Sequence, residues 1–400
     1  MRLYEWEAKQ LLAERGVPVP QHRLVRNAKD ASVGADDWDA AIVKAQVLHG
    51  GRMKAGLIEM TDGSDAVALA AKRLLACSDR DGAPVEALLV EQRLPVKQER
   101  FLGALYDPRA RMPVLVYTPH GGIDVEDADA SAIARVELDP RQPVPEFRIR
   151  AALRRAGVAS RDLRAITAIA VTVARTLLEL DATLVEVNPL AEVEGRGWVA
   201  LDAHVELDGD ALSRHRTLVE RFGLAERGDG GRAPTAAEQA AKEVDALDHR
   251  GVAGRLVEFD GDIALIIGGG GASLTVFDAI RDAGGRPSNY CEVGGNPSVL
   301  KVKAFTQLLL EQLRPARIAV IMNVVSNTRA DLVARGVIEA CLATGRDPAE
   351  TIAVYRVPGA WEDEARELLA DYGIDALGRE VGIDAASRRA VEVAAAGVAA

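Results

Sequence analysis

Two short segments of this 400-residue chain place an amide and a carboxylate where a divalent cation could be held. They are Glu186-Val187-Asn188-Pro189-Leu190 and Ala200-Leu201-Asp202. Read as neighbouring strands, they direct Asn188 and Asp202 at one spot. Magnesium takes a few hard oxygens and completes its shell with water and phosphate oxygens, so such a pair suits a metal–nucleotide complex. A hairpin with a turn asparagine and a strand-end aspartate accounts for the same residues without a ligand.

Upstream, Val43-Lys44 ends an apolar strand and precedes Gly50-Gly51-Arg52-Met53-Lys54-Ala55-Gly56, a basic hairpin tip able to fold over phosphates. It has no GK[ST] ending, which excludes a P-loop NTPase. Glu91, at another strand end, can accept from an adenine amino group or a ribose, and Glu99 follows it. As local features, these residues also read as a solvated turn and solvent-facing acids.

The C-terminal half carries three polar turns at strand ends. Gly268-Gly269-Gly270-Gly271-Ala272-Ser273 opens a helix whose free amides can face an anion. Gly294-Gly295-Asn296-Pro297-Ser298 closes the next strand, and Ser326-Asn327-Thr328-Arg329 a third. Asn327 and Thr328 offer donors for a carboxylate, or simple capping of the helix that follows. Arg356 ends a fourth strand, placed for a bidentate pair with a substrate carboxylate or for a rim salt bridge. Glu292, 24 positions after Gly268, opens a rival reading, a dinucleotide-binding oxidoreductase with a ribose-binding acid.

These residues need elements to hold them. Residues 4–15 read as a helix with Trp6, Leu11 and Leu12 on one stripe. Strands are expected at 41–45, 57–60, 87–90, 101–106, 113–117, 183–187 and 198–202, with helices at 64–76, 146–156 and 160–178. A glycine-rich polar stretch at 226–234 marks a linker, followed by a helix at 235–248. Beyond 251 the rhythm is regular: strands at 262–267, 288–293, 317–323, 351–356 and 374–376 alternate with helices at 272–283, 297–313, 330–344 and 361–372. That is the pattern of a doubly wound parallel sheet, which binds ligands at the carboxyl ends of its strands.

Composition bounds the rest. Hydrophobic residues at 48% and charged residues at 27% exclude whole-chain disorder. A net charge of −11 argues against a nucleic-acid partner. No apolar run reaches the roughly 18 residues of a membrane span, and the first residues resemble neither a signal nor a transit peptide, so a cytoplasmic location is expected. Cys77, Cys291 and Cys341 form no disulfide or metal pattern and read as buried small hydrophobes. The six histidines show no transition-metal spacing.

Together these segments resemble the β subunit of succinyl-CoA synthetase, nearly end to end. Leu3-Tyr4-Glu5-Trp6-Glu7-Ala8-Lys9-Gln10-Leu11-Leu12 looks like the family's opening helix, and Val43-Lys44-Ala45-Gln46-Val47 through Lys54-Ala55-Gly56 like its nucleotide-covering segment. The pairs Glu91/Glu99 and Asn188/Asp202 keep the family's separations. The resemblance implies an α+β ATP-grasp domain (1–228), a linker and connecting helix (229–250), and an α/β flavodoxin-like ligase domain with a doubly wound parallel sheet (251–400). It further implies that Lys44, Gly51, Arg52, Met53, Glu91, Leu94 and Glu99 bind the nucleotide, ATP or GTP, and that Asn188 and Asp202 bind Mg2+. Glu186 would steady a phosphorylated histidine borne by a separate α subunit, which also holds most of the CoA site, in an αβ or α2β2 assembly. Gly268, Gly269, Gly270, Asn327, Thr328 and Arg356 would bind the small carboxylic acid.

Several positions depart from the family pattern. Met53 replaces a glycine, and His204 stands where a lysine is usual. Departures at Met53 and His204 also raise the alternative of a regulatory subunit with reduced turnover. Gly268 replaces an asparagine, and Ser326-Asn327-Thr328 replaces a diglycine turn. The glycine run and the Asn/Thr turn look like those of ATP-citrate lyase and related ligases. They direct the expectation to an acid other than plain succinate: a hydroxy-acid, tricarboxylate or sulfonate-bearing acid.

Overall fold

The computed structural model describes residues 1–31, 38–78, 82–121, 133–227 and 234–398. The chain forms two compact units, Met1–Ala233 and Pro234–Ala400. Most of the expected linker, at 228–233, lies outside the described residues. The helix after it, Ala236–Asp245, starts at a capping box made by Thr235 and Glu238. It buries Ala237, Ala241 and Val244 in the second unit's core.

The first unit contains two antiparallel sheets. Strands β1 (His22–Val25), β2 (Ala40–Ala45), β3 (Ile58–Asp62) and β4 (Leu88–Gln92) lie in the order β1-β4-β2-β3. Helix Ser64–Leu74 covers one face, where Val67, Ala70 and Leu74 meet Val43, Ala45, Leu88 and Val90. The second sheet runs β10 (His204–Leu207), β8 (Ala182–Val193), β5 (Val96–Asp107), β6 (Met112–Thr118), β7 (Ala134–Glu137), and β9 (Gly197–Ala200) pairs with β8. Helices Glu5–Glu14, Glu146–Arg155 and Leu163–Glu179 bury their apolar stripes in the core on this sheet. The short strands β1, β7 and β10 escaped the sequence reading, because four residues interspersed with polar ones carry little alternation.

Strand β8 serves two faces. Val185, Val187 and Leu190 belong to the main core. Glu186 and Asn188 alternate with Val185 and Val187 and point the other way, while Leu190 returns to the core through an extra residue of β8 against β5. The pairing of β5 with β8 shifts register between Arg100 and Leu102. Beyond the shift, Ala191 and Val193 form a small separate apolar cluster with Val199, flanked by Leu94 and Leu201.

In the second unit, β12 (Ile263–Gly268), β14 (Arg317–Met322) and β15 (Ile352–Arg356) form a parallel sheet in that order. The regular alternation of strands and helices is as expected, but the sheet is not one continuous ladder. Strand β13 (Asn289–Gly294) pairs antiparallel with β11 (Val252–Glu258), a strand the pattern did not reveal. Side chains stitch β13 to β12: Leu265 N donates to Asn289 Oδ1 at 2.8 Å and Asn289 Nδ2 donates to Leu265 O at 2.9 Å. Cys291 Sγ adds a bond to Leu265 O at 3.1 Å, and burial pushes this thiol up to about 12. The strand expected at 374–376 does not form. Three residues between turns are too few for a ladder, and Ile374 simply packs into the core.

Gly268 ends β12 against β13 so closely that an added Cβ would lie 1.8 Å from Val293 O. Gly268→Ala is therefore expected to destabilise the protein by about 1–3 kcal/mol or more through forced separation of the strands. Urea unfolding followed by circular dichroism measures it.

Candidate active site

In the first unit, the N-terminal helix, two strands and two turns bring six charged side chains together. Lys9 Nζ, wholly buried, pairs with Glu5 Oε1 at 2.7 Å, contacts Glu91 and donates to Leu201 O at 2.7 Å. Lys44 Nζ lies 2.8 Å from Glu5 Oε1, 2.9 Å from Glu91 Oε1 and 2.8 Å from Leu201 O. Each ammonium thus has three acceptors for its three protons. Arg52 reaches Glu5 Oε2 at 2.5 Å and sets Nη2 across Asp202, 3.0 and 2.9 Å from its two oxygens. Three cations face three carboxylates.

The charges shift one another. Burial alone would raise the Glu5 carboxyl, but Lys44, Lys9 and Arg52 hold it well below the usual range. Burial would also lower Lys44, yet Glu5, Glu91 and Asp202 keep its ammonium firmly protonated. Asp202 moves the other way: crowding by protein and the charge of Glu5 raise it, against the pull of Arg52, Lys44 and Lys9. About a third of its side chain, 35%, still reaches solvent.

Glu186, Asn188 and Asp202 meet beside this network. Glu186 hydrogen-bonds Asn188 and feels the Asp202 charge, and burial is the main cause that raises its carboxyl. His204 pairs directly across from Glu186 in the β10–β8 ladder. Its buried Nε2 has no hydrogen-bond partner among the described residues, and burial with nearby Arg2 lowers its basicity. Asn188 and Asp202 supply two hard oxygens with an open side at Asp202, which fits Mg2+ bound jointly with phosphates. The same face continues into the apolar cluster of Ala191, Val193 and Val199 with Leu94, and Glu99 lies opposite Ala191 in the β5–β8 register.

The structure thus gathers Lys44, Arg52, Glu186, Asn188 and Asp202, and sets Leu94 and Glu99 along the adjoining strip. Gly51 takes φ 77°, turning the chain so that Arg52 is buried while Met53 stays 47% exposed. Glu91 needs a correction as an acceptor for base or ribose. Its carboxylate is 1% exposed and lies between Lys9 and Lys44, because a buried charge requires countercharges. Glu5 and Lys9 were missed. Their signal was available: with Leu12 they form an i, i+4, i+7 stripe on the helix, charged where a core face should be apolar.

The second unit has a cavity of about 660 Å³ at the carboxyl ends of its strands. Gly269, Gly270, Asn327 and Thr328 line it, with Arg255, Tyr290 and Glu292, which the sequence reading had not assigned to an acid site. Thr328 Oγ1 accepts from Asn296 N at 3.2 Å and so ties two of the turns together. Gly268 and Arg356 need correction. Gly268 is a packing residue under the turn. Arg356 is buried, with Nε donating to Val381 O and Nη1 to Met322 O, both at 2.6 Å; its guanidinium satisfies backbone carbonyls and does not line the cavity.

Known proteins resemble this chain over nearly its whole length. An ATP-grasp domain family matches residues 2–192, and the citrate-binding family of ATP citrate lyase matches residues 232–344. The β subunit of ADP-forming succinate–CoA ligase from Syntrophotalea carbinolica is 32% identical over 380 residues, 92% of this chain and 93% of that one. The same subunit of Rubrobacter xylanophilus is 31% identical and spans 98% of this chain and 99% of its own. The chain belongs to the succinate–CoA ligase β-subunit family. That is a family of acid–thiol ligases, and membership displaces the oxidoreductase reading. ATP citrate lyase of Methanothrix soehngenii, solved with citrate and coenzyme A, shares the fold of this family member. Its TM-score is 0.73 at 19% identity, over 98% of this chain and 99% of that one.

The depressed Glu5 carboxyl makes a prediction about acid. Its contribution to stability is complete above the ordinary glutamate value of about 4.3 and is lost as pH falls through the lower folded value. Glu5→Gln should flatten the acid limb of a pH–stability curve read by thermal melting. Lys9→Met, which leaves Lys44 and Arg52 as the countercharges of Glu5 and Glu91 and so one buried negative charge unbalanced, should cost about 3–5 kcal/mol at neutral pH.

Proposed function

We propose that this chain is the nucleotide-binding β subunit of an NDP-forming carboxylic acid–CoA ligase. The convergence of Glu186, Asn188 and Asp202 on one face, beside Lys44, Arg52 and an apolar strip, carries this reading. ATP or GTP would lay its base along Leu94 and the Ala191 strip, with Glu99 near the ribose and its phosphates toward the Gly51-Arg52-Met53 turn, while Lys44, whose three protons are taken inside the network, contributes its charge from beneath and no direct contact. Asn188 and Asp202 would hold Mg2+, which when bound neutralises charge on the phosphoryl oxygens. Met53 replaces a glycine without blocking the turn, because its side chain points into solvent.

The γ-phosphoryl group passes to a histidine on a separate α subunit, which also provides most of the CoA site. Phosphoryl transfer is governed by positioning and charge neutralisation, and Lys44 and Arg52 supply fixed cations. Glu186 would accept from the imidazole of that histidine. Phosphorylating an acid's carboxylate then yields an acyl phosphate, whose leaving group is good enough for attack by the CoA thiolate. The acid would sit in the second unit's cavity, where Asn327, Thr328 and the glycine-turn amides offer donors, and is other than plain succinate. Assembly is αβ or α2β2, in the cytoplasm. No helix among the described residues is long and apolar enough to cross a membrane.

Transfer of label from γ-32P-ATP or γ-32P-GTP to the α-subunit histidine, with Mg2+ present, tests this reading. Wild type should label the partner, and Asp202→Asn and Glu186→Gln should each slow labelling by about a hundredfold. Absence of labelling with either nucleotide would leave a regulatory subunit instead.

A further inference from the structure

The cavity of the second unit contains one feature that an acid site does not obviously want: a carboxylate. Glu292 lies on its wall next to Tyr290, two residues earlier on β13 and therefore on the same face. Its Oε1 accepts from Tyr290 Oη at 2.8 Å and is also contacted by Ser273 Oγ. Ser273 is completely buried in the first turn of helix Ala272–Asp282, with its hydroxyl 2.9 Å from Tyr290 Oη and 2.6 Å from Gly270 O. Two hydroxyls on separate elements therefore fix the carboxylate in place.

An ionised carboxylate only accepts hydrogen bonds, and it repels an anion that brings no donor. The remaining walls have the opposite character. Arg255 lies directly across from Glu292 in the β11–β13 ladder, and Asn327 and the backbone of Gly269 and Gly270 border the same cavity and suit the carboxylates of a ligand. A ligand complementary to both sides carries carboxylates for the donors and a hydroxyl for Glu292. A plain dicarboxylate brings no donor to Glu292 beyond the two hydroxyls that already hold it, and a sulfonate adds a further acceptor where a donor is wanted.

We propose that Glu292, positioned by Tyr290 and Ser273, determines specificity by accepting a hydrogen bond from a hydroxyl of the acid, so that the substrate class is the hydroxy-di- and tricarboxylates. This rests on the second unit being the acid site. The discrimination comes from whether the ligand brings a donor to this half-buried carboxylate, the difference by which sites distinguish an OH from its absence.

The test uses the full chain and two probes that differ by one hydroxyl, L-malate and succinate, with Kd from isothermal titration calorimetry. Malate should bind at least about tenfold more tightly than succinate, the size of one charge-assisted hydrogen bond. Glu292→Gln should reduce that ratio severalfold and leave succinate as tight or tighter. Tyr290→Phe, which keeps the packing and removes one anchor, should also lower the ratio and serves if Glu292→Gln does not fold. Equal affinities, or an unchanged ratio in the variants, overturn the proposal and leave the acid site standing. Binding of neither acid by a chain that still binds magnesium–ATP overturns the acid site and the proposal with it.

Discussion

Burying six ionisable side chains in one cluster is the constraint around which the first unit is organised. Lys9, Lys44 and Arg52 balance Glu5, Glu91 and Asp202, and five of the six are nearly cut off from water. Such a cluster is a poor device for stability, because apolar residues of equal volume often do as well. Its value is that it fixes where cations stand. The Leu201 carbonyl accepts from both ammonium groups, which ties the helix and β2 to the turn that presents Asp202. The opening helix, far from Asn188 and Asp202 in sequence, is thereby joined to the same cluster.

How much of this was legible follows from the range of each signal. Asn188, Asp202 and Glu186 were readable because strand alternation and a short hairpin keep them local, and their meeting needed only one register. Lys44 and Arg52 were recognised as cations, but not what they pair with, since Glu5 and Glu91 are brought to them by tertiary packing. Glu91 shows the same limit from the acid side: a strand-end glutamate looks solvated until the buried lysines beside it are known. Arg356 misled for a related reason. Its position at a strand end was read correctly, but its guanidinium turns inward to two carbonyls that no spacing rule reveals.

In the second unit, the βα alternation was plain and the break in the sheet was not. Asn289 has the amide geometry of a peptide group, so its side chain replaces a stretch of ladder between β12 and β13. This frees β13 to pair with β11 and to turn Tyr290 and Glu292 toward the cavity. The polar turns that line the cavity are joined to each other through Asn296 and Thr328, so its mouth is set by side-chain bonds between loops as well as by the strands below.

The two-faced character of β8 also limits how lineages of this protein can vary. Core contacts and the polar Glu186 and Asn188 occupy alternate positions of one strand, so inserting or deleting a single residue just upstream of Val185 would drive Val185 and Val187 onto the polar face and Glu186 into the oily interior. Length polymorphism is excluded from this segment, whereas the exposed bend at Gly195-Arg196 is free to absorb it.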